Sequence, residues 1–187
     1  MSNNGNGRAW RWFIFSWMFA FLGFPIGGFL AFLLVGSIEG VVSAALGGAL
    51  AGAVIGAAQW LALRRRLDVT AWWIIATALG LALGNAIGTA LIDAGTGIGD
   101  LLVTGVTAGI AVGFLQWVLL RKRVRGAGLW PPVVAVSWPV GWTVTWMVGV
   151  DVERGYVVFG STGALVFAAI TGAAMWMMLR GSTRAVT

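Results

Sequence analysis

The stretch from Gly48 to Arg66 reads GALAGAVIGAAQWLALRRR. Gly48, Gly52 and Gly56 recur every four residues, which keeps them on one face of a helix turning every 3.6 residues. No charge interrupts the run before Arg64. In lipid, small residues at that spacing let two helix backbones approach closely. The same device returns as Gly105, Gly109, Gly113, Gln116, Trp117 and Arg121-Lys122-Arg123, and in a looser third copy as Ala164, Ala168, Gly172, Met175, Trp176 and Arg180. Gln59 and Gln116 are 57 residues apart, and Gln116 and Met175 are 59 apart, so the period is one helical hairpin. Two helices separate the copies, so each copy has the same orientation across a membrane. This is parallel duplication, unlike the inverted repeats of many transporters. The predicted fold is an all-α integral membrane protein: six transmembrane helices, three parallel-duplicated hairpins, a compact glycine-seamed bundle with pseudo-threefold symmetry.

Composition agrees. Of 187 residues 59% are hydrophobic and 10% charged, where a soluble domain carries roughly a quarter charged. Mean hydropathy is +0.92. The chain has no cysteine and no histidine, which removes thiol chemistry and the commonest metal ligand and general base. The first apolar span is too long for a cleavable leader and is expected to be a retained helix.

The predicted helices run from about Trp10 to Gly36, Glu39 to Leu63, Ala71 to Ile92, Leu101 to Leu120, Trp130 to Val150 and Tyr156 to Leu179. They divide the chain into a polar tail 1–9, hairpins at about 10–66, 71–125 and 130–180, and a second tail 181–187. Pro25 and Pro139 are expected to kink the first and fifth helices, whereas Pro131 and Pro132 suit a first turn. With six crossings, eleven bases share one side: Arg8, Arg11, Arg64, Arg65, Arg66, Arg121, Lys122, Arg123, Arg125, Arg180 and Arg184. The other side holds Arg154 with Glu39, Asp93, Asp100, Asp151 and Glu153. The positive-inside rule then places both termini in the cytoplasm. Topology accounts for the basic clusters. Arg64, Arg65, Arg66, Arg121, Lys122, Arg123 and Arg125 are also candidate contacts for anionic lipid. No soluble basic module suggests nucleic acid. Trp10, Trp12, Trp60, Trp72, Trp73, Trp117, Trp130 and Trp176 fall near the basic ends of their helices and read as an aromatic belt.

The candidate packing seams are Gly48, Gly52 and Gly56; Gly80, Gly84 and Gly88; Gly105, Gly109 and Gly113; and Gly172. The first helix offers Gly23, Gly27 and Ala31, and the fifth Ser137, Gly141, Thr145 and Gly149. At 100° per residue Gln59 lies within its glycine seam, about 7 Å from the arginines along the axis, and Gln116 repeats the placement. Such amides need partners, because an unsatisfied one in hydrocarbon is costly. They bond between helices or line a cavity open to the cytoplasm, and Asn85 is weighed likewise. Apart from Arg11 and Glu39 at the span ends, no Asp, Glu, Lys or Arg lies within a predicted span, which leaves ion-coupled pumping and intramembrane hydrolysis without an obvious constellation. No catalytic, cofactor or metal residue is expected.

The pattern G-x-x-Q-W-x-x-L-R at Gly56 to Arg64 and Gly113 to Arg121 resembles repeated hairpins in uncharacterised bacterial multi-pass membrane proteins. The third copy departs from it, with Met175 for glutamine. The resemblance implies a bacterial plasma (inner) membrane address and brings no activity. The expected function is a non-enzymatic accessory, scaffolding or lipid-organising subunit. It would pack through its seams against lipids, another membrane subunit or itself. The alternative is a facilitator of a neutral or apolar solute through the pseudo-threefold axis.

Overall fold

A computed structural model describes residues 3–149 and 157–183, with side chains over 11–149 and 157–181. Helix α1 (Asn3–Phe19) passes through a 3-10 turn (Ala20–Leu22) into α2 (Gly23–Val35). There follow α3 (Val41–Leu63), α4 (Trp72–Ile92), α5 (Ile98–Leu120), a second 3-10 turn (Ala127–Leu129), α6 (Trp130–Met147) and α7 (Ser161–Thr183). Among the described residues there is no strand. Among the described residues five stretches are long and apolar enough to cross a membrane: Arg11–Val35, Val41–Leu63, Trp72–Ile92, Ile98–Leu120 and Ser161–Gly181. Helix α6 is shorter, at 18 residues, and its four tryptophans and three prolines make it less apolar.

Several ends differ from the sequence expectation. Helix α1 begins at Asn3, inside the stretch expected to be a tail. Helix α3 begins at Val41, because Ser43 Oγ accepts the N–H groups of Glu39 and Gly40 (3.0 and 3.2 Å) and so caps the helix after them. Helix α5 starts three residues early, at Ile98, where the Asp100 carboxylate accepts the Gly97 N–H at 3.2 Å. Helix α6 stops at Met147, and Gly149, expected on its seam, lies past the end with φ +74°. Helix α7 begins at Ser161; Asp151, Glu153, Arg154 and Arg184 fall outside the described residues.

The two interior prolines behave differently. The Pro25 ring lacks an N–H and would press on the carbonyl four residues back, at Phe21. The chain tightens there into the 3-10 turn and resumes as α2. Pro139 leaves α6 unbroken, and the Thr143 hydroxyl donates to its carbonyl at 2.9 Å.

From α2 onward each helix packs antiparallel on the next. A Cβ built on Gly48 would lie 2.6 Å from the Leu81 carbonyl oxygen, on Gly52 2.8 Å from Ala78 Cα, and on Gly56 3.0 Å from Ile74 Cα. Gly80 meets Val112 Cα at 2.6 Å, Gly84 meets the Ala108 backbone, and Gly88 meets Thr104 Cα at 2.9 Å. Gly105, Gly109 and Gly113 face Pro139, Ala135 and Pro131, whose Cα atoms stand at 2.9, 2.7 and 3.0 Å. Gly23 and Gly27 seat α2 on Ile55 and Ala51 of α3. Helix α7 then returns to α1, where Gly172 leaves room for the Trp17 indole rather than for another backbone. Nine seam glycines are thus buried within the chain's own α3–α4, α4–α5 and α5–α6 contacts.

The exterior is apolar and the interior partly polar. Leu33, Leu46, Leu79, Leu83, Ile87 and Leu91 are among many large exposed side chains, while Gln59, Thr77, Asn85, Gln116, Ser137, Thr145 and Thr171 are buried. Soluble monomers rarely expose so much contiguous apolar surface; in a bilayer it faces acyl chains.

Candidate functional site

The end of the bundle nearest the arginines holds a buried network of amides and indoles. Gln59 lies on α3 and Gln116 on α5, each three residues past the last glycine of its seam, so both turn inward. They are 4% and 1% exposed. Gln116 Nε2 donates to Gln59 Oε1 at 3.1 Å and to Thr77 Oγ1 at 2.9 Å. Trp73 Nε1 donates to Gln59 Oε1 at 3.1 Å, and Trp130 Nε1 to Gln116 Oε1 at 2.9 Å. Trp17 Nε1 reaches Thr171 Oγ1 at 3.3 Å, one turn before Met175. In each case an indole on one helix bonds to a polar group on a neighbouring helix. The rings then meet one another, with Trp17–Trp130 centroids 6.1 Å apart and Trp73–Trp130 6.2 Å. Beneath them Phe24, Trp138, Phe159 and Phe167 fill the next layer, with Phe24 stacked on Phe159 at 4.9 Å and Trp138 edge-on to Phe167 at 5.0 Å.

Trp73 and Trp130 are therefore corrections to the aromatic belt. They are 0% and 1% exposed and serve as core donors. Trp12 and Trp72, at 61% and 62%, face outward. Trp17, Trp138 and Trp142 are core residues that sequence reasoning missed. The signal was present: Trp73 and Trp130 each follow a glutamine by 14 residues, and Trp17, Trp73 and Trp130 recur at 56 and 57.

Around the rim, guanidinium groups stand over tryptophan faces: Arg64 over Trp60 at 4.9 Å, Arg121 over Trp117 at 5.6 Å and Arg180 over Trp176 at 4.5 Å. Spacing of four residues places each pair on one face, and the ring quadrupole attracts the cation. The Trp60 indole is itself tied to the Val69 carbonyl at 3.0 Å. Arg65, Lys122, Arg123 and Arg125 are exposed, and Arg66 is half-buried.

Asn85 does not join Gln59 and Gln116. It is 3% exposed, in the other half of the bundle, where its Nδ2 donates to the Val157 carbonyl at 3.1 Å. Its Oδ1 and the Nε1 of Trp142 have no partner among the described residues. Both residues line a cavity of about 40 Å³, together with Thr89 and Thr104. One orphan accepts, the other donates, and the space suffices for a water molecule. Among the described residues no three His, Cys, Asp or Glu gather as a metal site would require. No protein-family model, curated protein or solved structure matches the chain.

Proposed function

We propose that the protein is a non-enzymatic membrane protein of six spans that acts as an accessory, scaffolding or lipid-organising subunit. Its termini face the cytoplasm of a bacterial inner membrane. The observation that carries this reading is the closed interior. The amides of the basic half bond to each other and to two indoles, a third indole bonds to Thr171, and bulky aromatics fill the layer below them. Such a core holds a fold together, and the side chains named in it carry no charge. The glycine seams are engaged internally, so docking through them is replaced by docking through the outer apolar faces.

Three parallel hairpins are supported by the recurring contacts. Trp17, Trp73 and Trp130 take matching roles, as do the three Trp–Arg pairs on α3, α5 and α7. Helix α6 is long enough for the sixth span, since 18 residues rise about 27 Å against a core of about 30 Å. The chain has no native cysteine, so single cysteines report topology without background. Cysteines replacing Glu39 and Asp93 are expected to react with an impermeant maleimide in intact cells. Those replacing Arg65 and Arg123 are expected to react only after permeabilisation. A crossed pattern overturns the six-span topology.

The functional test is purification of the tagged protein from its own membranes in mild detergent, with mass spectrometry of bound proteins and lipids. A stoichiometric partner or a selectively enriched lipid is expected. Recovery of the bare protein would move the weight to the second reading, a facilitator of a small neutral solute. The cavity between Asn85 and Trp142 favours that reading, and the Trp17, Trp73 and Trp130 layer stands across its route. Reconstituted liposomes are expected to swell in glycerol or urea no faster than empty ones.

A further inference from the structure

We propose that the groove between α1 and α3 at the basic end is a binding site for one anionic phospholipid, its phosphate held by Arg64 and Arg65 and one acyl chain lying in the groove. The proposal rests on reading the helices as membrane spans.

The groove has a local cause. Beyond the 3-10 turn, Gly23 and Gly27 bring α2 onto the α3 backbone, with Gly23 meeting Ile55 Cα at 3.0 Å. Before that turn the described side chains of α1, Arg11–Phe19, hold no glycine. The helix presents Ser16 and the bulky Trp12, Phe15 and Phe19, and a gap opens between it and α3. The gap measures about 780 Å³. Its α1 wall is aromatic and its α3 wall carries Ala58 and Leu61, a lining suited to a hydrocarbon chain.

The mouth has the opposite character. Arg64, Arg65 and Arg66 all line it, and Asp68, the one acid of the α3–α4 loop, does not. Arg64 is steadied over Trp60, whose indole is fixed to the Val69 carbonyl, so less side-chain freedom is lost when a phosphate arrives. Guanidinium groups match phosphate oxygens in pairs. Charge at the mouth and aromatics along the walls fit one amphiphile with an anionic head. The second basic loop lacks this combination: the hollow around Lys122, Arg123 and Arg125 is lined by that loop and Trp117, with no long apolar trough.

The test is native mass spectrometry of the full-length protein released from nanodiscs of equal parts phosphatidylglycerol and phosphatidylcholine. The unmodified protein is expected to retain one phosphatidylglycerol. Arg64→Gln/Arg65→Gln is expected to weaken that retention about 30-fold in affinity, from roughly a fivefold factor per basic residue. Ser16→Phe, which narrows the groove and removes no charge, is expected to reduce it as well. Lys122→Gln/Arg123→Gln loses the same charge elsewhere and is expected to leave it unchanged. Melting temperatures of all four identify any variant that has lost its fold. Equal losses at both clusters overturn the groove while leaving lipid organisation standing. Retention of no anionic lipid by the unmodified protein overturns the lipid-organising reading too. A second copy of the chain, or another protein, seated in place of lipid overturns the assignment of the occupant.

Discussion

Gly84→Ala is expected to destabilise the bundle by about 1–3 kcal/mol, and Gly84→Leu to abolish recovery of folded protein from detergent. A single methyl at Gly84 would fall on the Ala108 backbone, with Ala108 N and Thr107 O each 2.7 Å away. Backbone cannot rotate aside as a side chain can, so α4 and α5 must separate, and the contacts of Gly80 and Gly88 along the same seam loosen with them. Helix propensity acts in the opposite direction, since alanine exceeds glycine by roughly 0.8–1.0 kcal/mol in a solvated helix. The sign of the result therefore separates the two effects. Adjacent positions on α3 supply the control. At Gly48 the added Cβ meets the Leu81 carbonyl at 2.6 Å; at Gly47 it meets side chains, a Val157 methyl at 3.3 Å and the Ile38 Cδ1 methyl at 3.4 Å. Gly48→Ala is expected to lower the midpoint of unfolding in dodecyl sulfate, and Gly47→Ala to leave it nearly unchanged. Equal behaviour of the two would mean that the seams do not hold the helices at this distance.

The seams were legible in the sequence because close approach in lipid requires small residues at a fixed period, and few other constraints produce that pattern. The glutamines were legible as polar groups needing partners, although which partners they find depends on α4 and α6. The tryptophans were not legible in the same way. An indole within a turn of a helix end suits the headgroup level and the bundle interior equally, and only the facing direction decides. Trp72 and Trp73 show this, since neighbours in sequence point about 100° apart and one is exposed while the other is buried. Pro25 announced an interruption, and the structure places the 3-10 turn just before it because the strained group is the carbonyl of Phe21. The groove beside α1 follows from what that helix lacks over Arg11–Phe19, a glycine. The lack carries meaning only once α3 is seen beside it.

Gln116→Leu is expected to be the most damaging single change among the buried polar residues, costing about 1–3 kcal/mol. Individual interhelical hydrogen bonds within bilayers average only about 0.6 kcal/mol, so counting bonds alone would forecast a modest effect at each site. The larger cost comes from what remains behind. Gln116 is the acceptor that the structure gives Trp130 Nε1, and leucine leaves that N–H buried at 1% exposure beside two other rings. Gln59→Leu orphans Trp73 similarly, while Thr77 keeps its own bond to the Trp73 carbonyl at 2.8 Å. Thr171→Val removes a longer contact, 3.3 Å to Trp17, and is expected to cost least. A double-mutant cycle isolates the orphan. If the penalty lies in the stranded indole, Gln116→Leu/Trp130→Phe will be less destabilised than the sum of its single changes, because phenylalanine carries no donor to strand. Strict additivity would instead place the cost in packing volume, and the amide–indole network would then contribute shape to the core and little polar energy.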